Sequence, residues 1–451
     1  MEEKRKHQDG QFVRQLGLMD VTFIGVGAVI GAGIFVITGQ AAATMAGPGI
    51  VISFLLGALA LGITALIYAE MSSAYPVAGS AYTYTKENLG QVFGWLVGWN
   101  LLLEYGVATS AVATGWSGYA RRFLEENFNI AIPKALTGAF DPAAGTYIDI
   151  FAFGIIATIF ILLTIGIKES ARVNSTIVWI KIGVLLLFII YALPHVNIAN
   201  LKNFLPFGWE GVWHATSLII FAYLGFDAIS TVAEETKNPL KTVPLGIILS
   251  LVLGAVLFVS VSLALTSIVP YHELNVPDAL AFALYKVGEP AAANAIALGA
   301  VVTITTVILV MGLGFTRITF ALARDGMLPR SLATIHPRFH TPYLATVIGG
   351  ILLALLAGLV PLKTLAELVN IGTLFAYLLV AISIVVLRRK KNSAPLFKMP
   401  AFKLLLPINF LMLIFLMAGL PLETWVRFFL WSGLGLLIYQ FYGLKKRQRG
   451  L

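Results

Sequence analysis

Gly25-Val26-Gly27-Ala28-Val29-Ile30-Gly31-Ala32-Gly33-Ile34-Phe35 lies inside the first long apolar segment of the chain and carries four glycines where a membrane helix is expected to be most regular. A glycine in a helix interior costs up to about 1 kcal/mol relative to alanine, and unpaired backbone in lipid costs several times more. The stretch therefore reads as a broken transmembrane helix whose break lines a site. A broken helix sets free amide N–H groups at the start of one half and free carbonyls at the end of the other, both near the bilayer midplane. Two such poles suit a zwitterion.

The rest of the chain agrees with a membrane setting. Of 451 residues, 58% are hydrophobic and 12% charged, and mean hydropathy is +0.88, values that exclude a soluble globule. Apolar stretches near or above the length needed to cross a bilayer recur throughout, and no sizeable soluble domain fits between them. The absence of cysteine removes disulfides, thiolate metal sites and cysteine nucleophiles. The first 19 residues lack the apolar core and cleavage site of a secretory signal. A net charge of +9 points to nucleic acid less than to topology, because most of the 31 Lys and Arg fall on alternate connecting segments. That asymmetry predicts cytoplasmic N- and C-termini, with Arg388-Arg389-Lys390-Lys391 and Lys445-Lys446-Arg447 at the lipid headgroups.

Working outward from the break, about twelve spans are expected. The first runs over 20–43 and the second ends near Tyr75, followed by a polar linker at 79–88. The third covers 91–119 and holds Glu104, the fourth 150–167, and the fifth 173–193 with Lys181 at its middle. The sixth, 209–234, carries a second irregularity at Phe221-Ala222-Tyr223-Leu224-Gly225-Phe226-Asp227. Spans seven to ten follow at 245–269, 291–316, 343–359 and 362–387, and two peripheral spans at 402–420 and 425–442. The interrupted spans one and six each open a block of five, so the second block inserts upside down relative to the first. The expected fold is all-α and polytopic, a five-plus-five inverted-repeat core with broken helices one and six. It divides into an N-terminal tail (1–19), a first repeat (20–193), a second repeat (194–388) and a peripheral pair with a basic tail (389–451).

Candidate site residues follow from the two breaks. The amides of Gly31, Ala32, Gly33 and Ile34 present a positive pole to a substrate carboxylate. The carbonyls of Val29, Phe221, Ala222 and Leu224 accept an ammonium group, and Ile30 lies within the same break. Phe221 is positioned to cover a bound ligand, and Met311 to touch its side chain. Lys181 sits about eleven residues from either end of its span, roughly 16 Å, beyond the reach of a lysine to the headgroups. It must face a wet cavity, a carboxylate or backbone carbonyls, either exchanging a proton during transport or pinning helix five to the first break. Glu104 has three readings: a contact to a cationic substrate group, a member of a proton pathway, or a structural acid. Asp227, just after the second break, suits a helix cap. The six histidines lie in tails, loops and span ends, and no His-Glu-x-x-His motif occurs, which argues against an intramembrane enzyme.

The glycine stretch at 25–35, Leu102-Leu103-Glu104-Tyr105-Gly106-Val107-Ala108-Thr109-Ser110, the run from Phe221 through Asp227 to Ala233-Glu234-Glu235-Thr236-Lys237-Asn238-Pro239, and Arg324-Asp325-Gly326-Met327-Leu328-Pro329 together resemble the amino acid-polyamine-organocation superfamily, specifically its cationic amino acid transporter branch. The resemblance implies import of L-amino acids across the cytoplasmic membrane by proton symport or by exchange, with the proton as coupling ion and no other cofactor. It assigns the alpha-carboxylate to the first break and the alpha-amine to carbonyls of both. Lys181 matches a lysine that takes the place of the sodium ion of related folds, and Glu104 and Asp227 match family acids near the pocket. Ala32 stands where relatives often carry Ser or Thr, which removes a hydroxyl contact to the carboxylate. Branch members carry cationic or neutral amino acids, so alanine is as well supported as arginine or lysine. A non-transporting sensor with the same binding site is the rival reading. The expected partners are an L-amino acid, protons and membrane lipids, not nucleic acid, and no stretch specifies a protein partner.

Overall fold

A computed structural model of the chain describes residues 16–75, 80–166, 171–339, 341–390 and 397–444. Among these residues the backbone is helical, and strand-like pairing is confined to isolated bridges such as Leu16 with Thr236. The helices are α1 (Leu18–Val29), α2 (Ile50–Ala74), α3 (Ser80–Leu89), α4 (Gln91–Leu102), α5 (Ala108–Phe128), α6 (Ile150–Ile165), α7 (Ala171–Ala192) and α8 (Gly208–Tyr223). They continue as α9 (Pro239–Ile268), α10 (Ala279–Lys286), α11 (Pro290–Arg324), α12 (Tyr343–Leu359), α13 (Leu362–Arg389), α14 (Phe402–Ala418) and α15 (Leu422–Ile438).

Among the described residues, six helical runs are long and apolar enough to cross a membrane, and a seventh arises if α14 and α15, bent by 108°, count as one. The run at Leu18–Ala74 is 57 residues long, well beyond the roughly 20 that one crossing needs, and it turns at Gly47, whose φ is +61°. Two further apolar helices, α6 and α12, are shorter. The twelve spans expected from sequence are a finer partition than length and composition resolve.

Both expected breaks are present, each about a residue from where the glycines suggest. α1 ends at Val29, and Ile30 is extended at φ −80°, ψ 95°. The chain resumes as a helical run through the π turn Gly33–Ile37, the α turn Thr38–Ala41 and a second π turn, Ala42–Ala46. We call this run the outer half-helix. α8 ends at Tyr223. Leu224 is extended, and Gly225 adopts φ +106°, a conformation that a side chain disfavours. A 3-10 helix, Phe226–Glu235, follows. The third span is also irregular: Glu104 lies on a π turn, Leu103–Val107, between α4 and α5.

The segment expected as a polar linker is corrected to a helix over its described residues, α3. Its composition is polar, but Ser80, Ala81, Tyr84 and Thr85 fall on one buried face at helical spacing, and α4 and α13 cover it. The core forms where α9 packs on α1 and α2, and where α11 packs on α5 and α7.

Candidate functional site

The two breaks face each other in close contact. A Cβ added to Gly33 would run into the backbone and side chain of Ala222. Glycine is therefore required here by the approach of one half-helix to the other. Beside this contact lies a cavity of about 20 Å³, room for a water or two. Seven expected site residues line it: Val29, Gly31, Ala32, Gly33, Phe221, Leu224 and Met311. Ala28, Ala108, Val112 and Val307 complete the wall. Every lining side chain is apolar. On α5 and α11, Met311 was expected, but Ala108, Val112 and Val307 were not named as site residues, because alanine and valine in a membrane helix carry no mark that separates cavity lining from packing.

Ile30, Ile34 and Ala222 are buried at the breaks but do not line this cavity. Glu104 and Asp227 are also buried and lie outside the lining, as electrostatic neighbours of each other. Around them stand Tyr68, Tyr105 and Tyr377. Tyr68 meets Phe226 and Tyr377 edge-on, or nearly so, at ring separations of 5.8 and 5.5 Å. The Tyr119 hydroxyl donates to the Phe35 carbonyl at 2.6 Å, and Arg122 pairs with the buried carboxylate of Asp278. The residues that line the cavity are buried except Ala28, which is half-buried, so the cavity is largely screened from solvent.

Lys181 is the one cation among the described residues that is almost wholly buried, with 2% exposure. Its ammonium donates to the Gly27 carbonyl at 2.6 Å and the Ile30 carbonyl at 3.1 Å. In an unbroken helix the Gly27 carbonyl would accept from the amide of residue 31. The break frees it, and α7 supplies the replacement donor. The geometry joins a proton-titratable group directly to the end of α1, about one turn from the cavity wall at Gly31.

The amino acid permease family profile matches residues 16–438. The chain belongs to this family. It is 46% identical over 433 residues to a methylthioribose transporter of Bacillus subtilis, covering 96% of this chain and 94% of the relative. It is also 46% identical over 436 residues to the branched-chain amino acid permease BcaP of the same organism, covering 96% and 93%. Cationic amino acid transporter 4 of mouse is 39% identical over 390 residues, 85% of this chain and 61% of that protein. These relatives are transporters and not enzymes, and with the apolar helices they make this permease a multi-pass membrane protein of the cationic amino acid transporter branch.

Proposed function

We propose that this permease moves neutral L-amino acids with aliphatic side chains across the cytoplasmic membrane by proton-coupled symport. The carrying observation is the Lys181 ammonium held on the Gly27 and Ile30 carbonyls, beside a wholly apolar cavity bounded by both helix breaks. On this reading the fold is the twelve-span, five-plus-five inverted repeat with both termini cytoplasmic. The substrate carboxylate meets the amides of Gly31, Ala32, Gly33 and Ile34. Its ammonium meets carbonyls at Val29, Phe221, Ala222 and Leu224. The side chain then faces Ala108, Val112, Val307 and Met311, none of which can pair a cationic group. Glu104 and Asp227, outside that lining, serve the inner closure and not a cationic side chain.

Coupling follows from the lysine bonds. A charged Lys181 makes two charge-assisted hydrogen bonds that tie α1 to α7. Loss of its proton weakens both, so α1 is free to tilt and open the N-terminal side. Protonation on the other side restores the tie. On this reading the buried central cavity corresponds to a largely occluded stage of an alternating-access cycle.

Purified protein in liposomes tests this by uptake of radiolabelled leucine, alanine and arginine, with and without an inward proton gradient. Gradient-driven accumulation of leucine or alanine, not arginine, is expected. Accumulation only against internal amino acid would make the protein an exchanger, and binding without flux a sensor. Methylthioribose belongs in the competitor panel because a relative of equal identity is named for it. Its displacement of label where amino acids fail would overturn the substrate class.

A further inference from the structure

A second, larger cavity of about 370 Å³ lies at the end of the molecule opposite α1's N-terminus, between the end of the outer half-helix, the start of α8, the start of α13 and the α14–α15 turn. This volume is in the range of small-molecule sites. Its floor is apolar, with Met45, Leu218 and Leu420, and its polar side chains are Thr44, Glu210, His214, Lys363 and Glu367. The Glu367 side chain is 8% exposed, accepts from the Thr424 hydroxyl at 3.0 Å, and has Lys363 at 3.9 Å, outside hydrogen-bond range. His214 bonds the Gly419 carbonyl through Nδ1 at 2.7 Å, and its Nε2 is 3.8 Å from Glu210. Buried Glu367 stands in the wall, and Glu210 and Lys363, with side chains 82% and 53% exposed, stand at its rim, so acid is in excess.

The level of the cavity in the membrane narrows what enters it. Trp209 is 65% exposed beside Glu210, and Trp213 stacks on His214 and on Phe415 at 5.0 and 4.8 Å. Such amphipathic rings mark the headgroup zone. We infer that this cavity is a second binding site, taking a zwitterion with a primary ammonium and one anionic group. The ammonium lies between Glu210 and Glu367, the anion on Lys363, and the apolar body on the floor. A quaternary ammonium has no N–H to donate to the carboxylates and is rejected. Phosphatidylethanolamine and a free amino acid share this chemistry. Because Met45 lies in the last turn of the outer half-helix and Gly211 in the first turn of α8, an occupant touches both broken spans and biases their closure.

The test compares wild type with E210Q/E367Q and with K363Q. In one arm, protein from vesicles of mixed phosphatidylethanolamine and phosphatidylcholine is analysed by native mass spectrometry. In the other, equilibrium dialysis counts bound leucine. Retention of one ethanolamine lipid over choline lipid, falling about tenfold in both variants, supports the site and names a lipid, the loss matching one charge-assisted contact. Two leucines per wild-type chain, falling to one in the variants, support it with a free amino acid. No headgroup preference together with at most one leucine in wild type overturns it, a result that needs no variant to fold. The lipid arm is independent of the central site, so its outcome stands whether or not the transport reading holds.

Discussion

Lys181 concentrates the coupling problem in one side chain. Replacing it with alanine leaves the Gly27 and Ile30 carbonyls without their donor, at a cost of about 1–3 kcal/mol for each buried group left unsatisfied. Lys181→Ala is therefore expected to lower the thermal midpoint and to reduce gradient-driven uptake in liposomes to the level seen without a gradient. A wild-type response to the gradient would remove the lysine from coupling. Val307 makes a different residue-scale case. It touches the cavity, and a Cβ on Gly31 would stand 3.4 Å from it. Enlarging the wall by Val307→Ala should raise uptake of bulky side chains relative to alanine, measured by competition. A side-chain preference unchanged from wild type would place selectivity elsewhere.

At the scale of elements, the two breaks act as one unit because each fills the gap in the other. Gly33→Ala drives a methyl group into Ala222 and should abolish substrate binding, whereas Gly31→Ala meets only ordinary contact with Val307 and should keep a folded, weakened transporter. Equal effects of the two substitutions in a binding assay would contradict the facing arrangement. Further toward the N-terminal side, α2 and α13 are tied by Glu70, whose carboxylate receives two bonds from Arg388, at 2.8 and 2.6 Å, and one from the Met399 amide at 2.7 Å. Arg388 also lies over the Phe402 ring at 3.7 Å. Breaking a buried pair by removing one partner costs about 3–5 kcal/mol, so Arg388→Ala should lower thermal stability strongly. Glu70→Gln should cost less, since the amide oxygen still accepts.

For the whole molecule, the burial of the central cavity has a direct readout. The chain has no cysteine, so a single introduced thiol is the only one present. Ala108 lines the cavity and is 3% exposed. Ala108→Cys should react slowly with a small maleimide, faster when substrate cycling opens the site, and not at all with a reagent too large to enter. Fast labelling by the large reagent without substrate would rule out a buried resting cavity. The small cavity volume follows from the close approach of the two breaks, where Gly33 packs against Ala222.

The sequence alone determined the membrane class, both broken spans and the need for Lys181 to find a partner inside the bilayer, because each is a local cost in lipid: glycine in a helix, or a charge beyond reach of the headgroups. It also singled out six lining residues that lie at or beside the breaks, together with Met311. The tertiary structure decided which carbonyls Lys181 takes, that α3 is a helix, and that Ala108, Val112 and Val307 share a wall with Met311. It also separated Glu104 and Asp227 from the cavity lining, where their charge had made them candidates for a cationic ligand. Charge and glycine are costly in lipid wherever they stand and so are visible one residue at a time, whereas the direction an alanine or valine faces is set only by the helix packed against it.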